Sequence, residues 1–411
     1  MIDPSVVRAA RRNVRLYYLY NFLMDFALWA GIWIKYLVED RGFQLQYILL
    51  MDLPFWLLVA ALQAPTGALA DHIGRKRVLA LAGALFALTV LGFGFSTSYW
   101  LLFLDYVLWA FAQSTRSGAD QALVYDSLKE AGLVAEFQRT TGRGFSTTMA
   151  AGLVSIVAGA ALASVIGMSA VVKLSAIVPM LGVAAALAMH EPRVVHERQR
   201  YLANLRDGMT FSWRHPEVRY TLLIGSVLLA GTFGPVVLVQ PFLIKHAVAT
   251  GLFGVYQAPL RLVAIGGAMV AVRVGLRLGV ERVLLLACGT IVLLYLALAG
   301  IDLQAAFVFF GFAALMQGLT RPVVDGYLNS RIPSVRRATV LSVMQLLFAL
   351  QVAFFEPALG FFTDGISLAA AFLFSAAYFA ILMPPLLLLW HRAQGRAGPM
   401  AEEAALEPAA G

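Results

Sequence analysis

The sequence predicts an all-α membrane protein in which twelve transmembrane helices form two pseudo-symmetric six-helix bundles. The chain of 411 residues is 60% hydrophobic and 13% charged, and this charged share is about half that of soluble domains. Apolar runs of about 20 residues, the length of a helix that crosses a hydrocarbon core of about 30 Å, recur along the chain. Short motifs at the ends of these runs occur twice, once in each half.

The apolar runs predict helices and not strands. They are apolar on every face, whereas the strands of a membrane barrel alternate polar and apolar residues. The predicted spans cover approximately residues 17–37, 46–70, 78–95, 100–122, 145–167, 170–189, 220–244, 253–274, 283–300, 305–327, 339–362 and 368–390.

Basic residues are concentrated at one set of span ends. These residues are Arg8, Arg11, Arg12, Arg75, Lys76, Arg77, Lys129, Arg139, Arg143, Arg273, Arg277, Arg282, Arg331, Arg336, Arg337, Arg392 and Arg396. Because cytoplasmic loops carry the excess of Lys and Arg, both termini are predicted to be cytoplasmic. The net charge of +8 then indicates contact with anionic lipid headgroups, and not binding of nucleic acid.

A polar stretch divides the chain. From His190 to Arg219 the sequence carries six arginines and four acidic residues, which predicts a cytoplasmic linker over residues 190–218. The bundles are predicted over residues 1–189 and 219–395. Residues 396–411, rich in Ala, Glu and Pro, are predicted to be a disordered cytoplasmic tail.

The two halves match at a constant offset of 205 residues. The matched residues are Gly74 with Gly279, Arg77 with Arg282, Arg116 with Arg321, and Asp120 with Asp325. All of them lie at the predicted cytoplasmic ends of spans. A constant offset indicates an internal duplication of parallel halves, a type of repeat that builds membrane proteins with a central site.

Residues 67–79 (GALADHIGRKRVL) place a small-residue helix end, an acid and a basic turn between the second and third spans. Together with twelve spans and a polar middle linker, this segment resembles the signature of the major facilitator superfamily. The family usually has a basic residue at position 72 and an aromatic residue at position 73, where this chain has His72 and Ile73. The matching residues are Gly67, Asp71, Gly74, Arg75 and Lys76. The resemblance implies a transporter of the bacterial inner membrane, in a drug-efflux-like or uncharacterised subgroup, with no enzymatic activity.

The resemblance implies that the signature is part of a cytoplasmic latch between the halves. Asp71 lies at the C-terminal end of a helix, where the dipole disfavours an anion, so we expect it to face the helix start near Ala338. Arg75 follows the turn at Gly74 and is expected to reach Asp120. The alternative is a static basic anchor at the headgroups, which would not need Asp71.

One acid–base pair occurs in each half at equivalent positions, so we assign both pairs to the same gate. Arg116 with Asp120, and Arg321 with Asp325, are each spaced by four residues and are expected to pair along one helix.

Charges without a counterpart in the other half are candidates for the substrate or proton pathway. These are Asp25, Asp52, Arg261 and Glu356. Ions within a span are costly and normally face a cavity, and burial makes Asp25 and Glu356 candidates for proton binding. Gln345 lies three turns from Glu356, and Trp56 is an aromatic candidate for the same path. The alternative is that Asp25, Asp52 and Glu356 only pair with Arg261, Lys173 or backbone groups. Asp105, near the outer surface, is expected to be solvated.

The predicted function is proton-coupled export of a small amphipathic or hydrophobic compound by a monomer that contacts membrane lipids. The proton gradient is the expected energy source, and neither a cofactor nor a metal is expected. Three alternatives remain: uptake of an anionic metabolite held by Arg261, a lipid carrier, and a membrane receptor that does not transport.

Overall fold

A computed structural model describes residues 3–192, 201–333 and 336–394. Within these ranges, the side chains of residues 64, 68, 71, 201–205, 235 and 338 are not described. The described residues form helices joined by short turns, and there is no β-strand among them. The predicted all-α fold is therefore confirmed. The predicted tail 396–411 lies outside the described residues.

The helices, in chain order, are α1 (Pro4–Asp25), α2 (Trp33–Lys35), α3 (Leu45–Leu50), α4 (Asp52–Ile73), α5 (Arg75–Phe95), α6 (Tyr99–Arg116), α7 (Ala119–Glu130), α8 (Phe137–Ile166), α9 (Met168–Ser175), α10 (Ile177–Leu187), α11 (Tyr201–Arg214), α12 (Pro216–Lys245), α13 (Phe253–Leu278), α14 (Val280–Gly300), α15 (Val308–Arg331), α16 (Arg337–Gly365) and α17 (Leu368–Gln394). Helix α11 lies inside the predicted linker. Helix α7 lies mostly between the predicted fourth and fifth spans. The other helices follow the predicted spans, several of which are divided between two helices.

Ten helical segments in the described residues are long and apolar enough to cross a membrane. The predicted spans without such a segment are the first and the fourth. Within the predicted first span, 17–37, helix α1 ends at Asp25, so no continuous helix covers the span, and the four arginines of α1 precede it. Helix α6 carries Asp105 and Arg116 within 18 residues, and these charges lower its hydropathy. The first span is thus set apart by its broken backbone and the fourth by its polarity.

The backbone of the first span is broken, although the sequence predicts a continuous helix. Helix α1 ends at Asp25, and residues 26–32 form turns before α2 begins. The amide of Leu28 donates to the hydroxyl of Ser175 at 3.1 Å. A Cβ atom at Gly159 of α8 would lie 1.9 Å from the carbonyl oxygen of Leu28. Neighbouring helices therefore hold the irregular segment in place.

The repeated glycines adopt the same backbone conformation in both halves. Gly74 precedes α5 with φ +92° and ψ 145°, and Gly279 precedes α14 with φ +79° and ψ 155°. A positive φ is accessible to glycine with little strain. The duplication predicted from the offset of 205 residues is thus visible in the main chain.

The chain divides into two compact units. The first comprises Met1–Phe43, Pro54–Gln199 and Val248–Ala258, and the second comprises Gln44–Leu53, Arg200–Ala247 and Pro259–Gly411. In the second unit, the amide of Gln46 donates to Asp364 of α16 at 2.7 Å. A Cβ atom at Gly360 would lie 2.5 Å from Cα of Gln46. The stretch Gln44–Leu53 is therefore packed closely on α16.

We expect Gly159→Ala to destabilise the first unit, because the added methyl group collides with the backbone of the broken segment at Leu28. Overpacking of this kind costs about 1 to 3 kcal/mol. The measurement is the unfolding temperature of the purified protein in detergent. Gly289→Ala is the matched control, since a Cβ atom there meets nothing described within 4 Å and alanine favours a helix. Equal unfolding temperatures for both variants would contradict the close packing at Leu28.

Candidate functional site

Arg116, at the end of α6, forms the central ion pair of the first unit with Asp25, at the end of α1. Its terminal nitrogens donate to both carboxylate oxygens of Asp25, one of them at 3.2 Å. Thr148 of α8 donates to Asp25 at 3.1 Å, and Asn21 accepts from Arg116 at 3.1 Å. The exposed fraction is 15% for the Arg116 side chain and 27% for that of Asp25. We call these four residues the Arg116 cluster, in which each charge is compensated by a bidentate partner.

Asp120 is not the hydrogen-bonded partner that the spacing predicts for Arg116. Helix α6 ends at Arg116, and α7 starts at Ala119 after Gly118, whose φ is +76°. Asp120 therefore lies in the first turn of a new helix, where the dipole favours an acid. It remains within electrostatic range of Arg116.

The second unit keeps the predicted pairing. Arg321 donates to Asp325, four residues later on α15, at 2.8 Å. With its amide oxygen turned towards the guanidinium, Gln345 of α16 also accepts from Arg321 at 2.7 Å. The position that matches Asp25 is Ala230 in this half. The extra acid on α1 thus accounts for the different partner of the arginine in the first half.

Aromatic side chains pack together on the elements that carry Asp25 and Arg116, and we call them the aromatic surface. Trp29 follows Asp25 by four residues, and Trp109 precedes Arg116 by seven on α6. The ring centroids of Trp29 and Trp109 are 5.8 Å apart, and Phe55 of α4 lies 4.7 Å from Trp109. Both tryptophans are half-buried, whereas Phe55 is buried. The sequence analysis did not predict this surface. The available signal was the helical spacing of each tryptophan from a charged residue, four residues for Trp29 and seven for Trp109.

Trp56, the aromatic residue that the sequence placed on the pathway, belongs to the same region of the first unit. Its ring centroid lies 5.2 Å from that of Phe55, and its side chain is half-buried.

A pair of carboxyl groups is buried in the second unit. Asp52, the first residue of α4, is hydrogen-bonded to Glu356 of α16. Their exposed fractions are 9% and 2%. An ionised carboxylate only accepts hydrogen bonds, so a hydrogen bond between two carboxyl groups requires a proton on at least one of them. The structure brings together two of the four unmatched charges, and it places Asp25 in the first unit.

Two further charges that the sequence analysis considered are Arg261 and Asp105. Arg261 is half-buried on α13, in the second unit. Asp105 was expected to be solvated, but only 7% of it is exposed. A Cβ atom at Gly92 of α5 would lie 2.5 Å from its carboxylate oxygen, so the small residue makes room for the acid.

The comparisons with known proteins identify the family. The model of the Major Facilitator Superfamily matches residues 16–350. The chain belongs to this superfamily. A search of curated proteins finds no match.

Solved transporters share the fold. A variant of the nucleoside transporter NupG is 14% identical with a TM-score of 0.74, over 93% of this chain and 99% of that one. A bacterial homologue of the human lysosomal transporter Spinster is 17% identical with a TM-score of 0.73, over 95% and 98%. A POT family transporter is 12% identical with a TM-score of 0.69, over 93% and 96%. This superfamily member is therefore a multi-pass membrane transporter for small molecules, and not an enzyme.

The superfamily signature is held by the chain that follows α10. The backbone amides of Arg75 and Lys76, at the start of α5, donate to the two carboxylate oxygens of Glu191 at 2.7 and 2.8 Å. An acid at this place satisfies helix-start amides and the positive end of the dipole. Lys76 also donates to the carbonyls of Leu187 and Met189 at 3.3 and 3.2 Å. The signature and the start of the linker thus form one bonded unit.

Arg75 pairs with Asp126 and not with Asp120 as expected. Asp126 lies on α7, two turns beyond the break at Gly118, and the exposed fractions of the Arg75 and Asp126 side chains are 13% and 6%. Nothing in the sequence singled out Asp126, because the break in the helix was not foreseen.

Three other gate predictions concern Gly67, Asp71 and Ala338. A Cβ atom at Gly67 would meet nothing described within 4 Å. The side chains of Asp71 and Ala338 lie outside the described residues, so the expected contact between them stays a prediction.

We expect the unfolding free energies of Arg75→Ala and Asp126→Ala to be strongly non-additive, because each single variant leaves one buried charge without its partner. A double-mutant cycle on denaturation in detergent should give a coupling energy of about 1 to 3 kcal/mol. The same cycle with Asp120→Ala in place of Asp126→Ala is the control and should be nearly additive. A larger coupling for Asp120 would refute the observed pairing.

Proposed function

We propose that the protein is a secondary active transporter that works by alternating access and exports a small amphipathic or hydrophobic compound in exchange for protons. We further propose that it is a monomer in the bacterial inner membrane, with both termini cytoplasmic. The family supports transport, and the concentration of basic residues at one set of span ends supports the orientation. The buried Asp52–Glu356 pair is the observation that carries proton coupling.

The pair links proton binding to a packing contact. Glu356, Gly360 and Asp364 are spaced by four residues and lie along one face of α16, where the stretch Gln44–Leu53 is packed. With one proton between them, the two carboxyl groups attract each other. When that proton leaves, two anions face each other in a buried place, which disfavours the contact. Proton release would therefore loosen the stretch from α16 in one step of each cycle.

The Arg116 cluster is better suited to substrate binding than to carrying protons. Both carboxylate oxygens of Asp25 accept hydrogen bonds from Arg116, and one accepts from Thr148 as well. A charged cluster beside an aromatic surface fits a compound with one polar and one apolar end. Inward flow of protons down their gradient would drive such a compound out of the cell.

We expect Asp52→Asn and Glu356→Gln to abolish accumulation driven by a pH gradient while exchange without a gradient continues. The physical reason is that an amide donates its hydrogen bond at every pH, so the contact with α16 no longer responds to protons. A thermal-shift screen against drugs, lipids, sugars and organic acids at two pH values first supplies a substrate. Transport is then measured in proteoliposomes with and without an imposed gradient.

The control for this experiment is Asp40→Asn, an exposed acid outside the pair, which should transport as the unmodified protein does. If both Asp52→Asn and Glu356→Gln still accumulate substrate in response to a pH gradient, the proposal that these residues couple transport to protons is refuted. If the protein instead moves organic anions in the direction that corresponds to entry into the cell, the alternative function, uptake of an anionic metabolite, is favoured.

A further inference from the structure

Asp105 is a buried acid of the first unit that belongs neither to the Arg116 cluster nor to the superfamily signature. It lies on α6, six residues after the helix begins at Tyr99, a distance of about 9 Å along the helix. Among the described residues, none forms a hydrogen bond or an ion pair with its carboxyl group. A buried ion without a partner is costly, whereas a neutral carboxyl group is tolerated more easily.

The carboxyl group of Asp105 lies in the seam between α6 and α5, where Gly92 makes room for it. A Cβ atom at Gly92 would lie 2.5 Å from a carboxylate oxygen of Asp105. Exposed side chains on both sides of this seam are apolar, namely Leu88, Leu91 and Phe95 on α5 and Leu101 and Leu104 on α6. A continuous exposed apolar surface of this kind marks contact with lipid. The carboxyl group therefore lies just behind a lipid-facing surface.

The basic residues on or near α5 are directed to other groups. On α5, residues 75–77 precede Gly92 by at least 15 positions, about 22 Å along the helix. Lys173 of α9 lies over the ring of Phe95, with its Nζ atom 4.2 Å from the ring centroid. Arg41 donates to a carbonyl group in the last turn of α5.

Two further helices, α4 and α7, pack on α6. Arg116, at the far end of α6, pairs with Asp25, and the charged residues of α7 follow it in the chain. Helix α4 contacts α6 through the rings of Phe55 and Tyr106, whose centroids are 6.2 Å apart. The titratable residues of α4 are Asp52, Asp71 and His72. Within the described part of the first unit, no charged group is in electrostatic range of Asp105, so an ionised Asp105 would have no compensating partner there.

We infer that Asp105 is a proton-binding site of the first unit, separate from the Asp52–Glu356 pair. With its proton, the carboxyl group fits against Gly92 as a neutral side chain. When the proton leaves, the anion requires water, and the seam between α5 and α6 has to loosen to admit it. Proton binding at Asp105 goes beyond the proposed function, because it requires neither a substrate nor a pH gradient.

A hydrophobic carbodiimide tests whether Asp105 holds a proton. Dicyclohexylcarbodiimide adds to a carboxyl group that holds a proton in an apolar place. The carboxyl oxygen bonds to the central carbon of the reagent, the proton passes to a nitrogen, and nothing leaves. The full-length protein in detergent is treated at several pH values, and the adduct on each peptide is quantified by mass spectrometry. We expect Asp105 to be labelled at neutral pH and the label to be lost at alkaline pH.

Asp40, an exposed acid, is the internal control for this labelling and should remain unmodified. The double variant Asp52→Asn/Glu356→Gln should label at Asp105 as the unmodified protein does, because the two sites are separate. Labelling of Asp105 that is no greater than that of Asp40 at every pH would overturn the inference.

Stability measurements provide a second test that does not depend on access of the reagent. Asp105→Asn keeps the shape of the side chain and is neutral at every pH. The unfolding temperature of the unmodified protein should therefore fall more steeply with rising pH than that of Asp105→Asn, since only the aspartate becomes an ion. Asp40→Asn is the matched control and should follow the unmodified protein. Identical pH profiles for the unmodified protein and Asp105→Asn would refute proton binding at this residue.

The contact with Gly92 is tested separately from the proton. Gly92→Ala should lower the unfolding temperature of the unmodified protein by about 2 °C or more, because the new methyl group meets the carboxylate oxygen. In an Asp105→Ala background the same substitution should cost less, since that oxygen is gone. An equal loss in both backgrounds would contradict the packing of Asp105 against Gly92 and overturn the inference.

None of these measurements uses transport, so they separate this site from the proposed function. If Asp105 is labelled as described while gradient-driven transport is not observed, the site at Asp105 stands and the proposed proton coupling is refuted. If gradient-driven transport depends on Asp52 and Glu356 while Asp105 remains unlabelled, the proposed function stands and the site at Asp105 is refuted.

Discussion

The ion pair between Arg116 and Asp25 determines how the first unit is organised. It joins the ends of α1 and α6, and it draws the arginine away from the acid that its helical spacing suggests. Asp120 lies in the first turn of α7 instead, and Arg75 pairs with Asp126, further along the same helix. The second unit has alanine at the place of Asp25 and keeps the simple pairing along one helix. A single acidic side chain thus separates the local structure of two otherwise related halves.

Much of the fold could be predicted because membrane solvation leaves few choices. Long apolar runs must be helices, and the repeated Gly74 and Gly279 marked equivalent turns that the backbone reproduces. The break after Asp25 was not predictable from hydropathy, since it depends on contacts with distant residues such as Ser175 and Gly159. An apolar run in the sequence shows that a segment is apolar. It does not show whether the helical hydrogen bonds continue along the whole segment.

The sequence predicted which residues belong to the candidate site better than it predicted their hydrogen-bond and ion-pair partners. Unmatched charges identified Asp52 and Glu356, which lie in contact, and Asp25, which lies in the other unit. The partners Asp126, Thr148 and Glu191 come from helices or segments that the chain order does not bring near. Tertiary packing selects such partners, so a single sequence can show which charges are costly but not which groups compensate them.

The ion pair between the first and fourth spans has a consequence for biogenesis. Neither span has, among the described residues, a helical segment long and apolar enough to cross a membrane, and Asp25 and Arg116 join the two spans. A lone charge at membrane depth opposes partitioning into lipid. When α1 leaves the ribosome, Arg116, which compensates the charge of Asp25, has not yet been synthesised. Stable insertion of the first span into the bilayer therefore requires synthesis of the fourth span. The nascent first unit is therefore expected to insert as a cooperative group, and not one helix at a time.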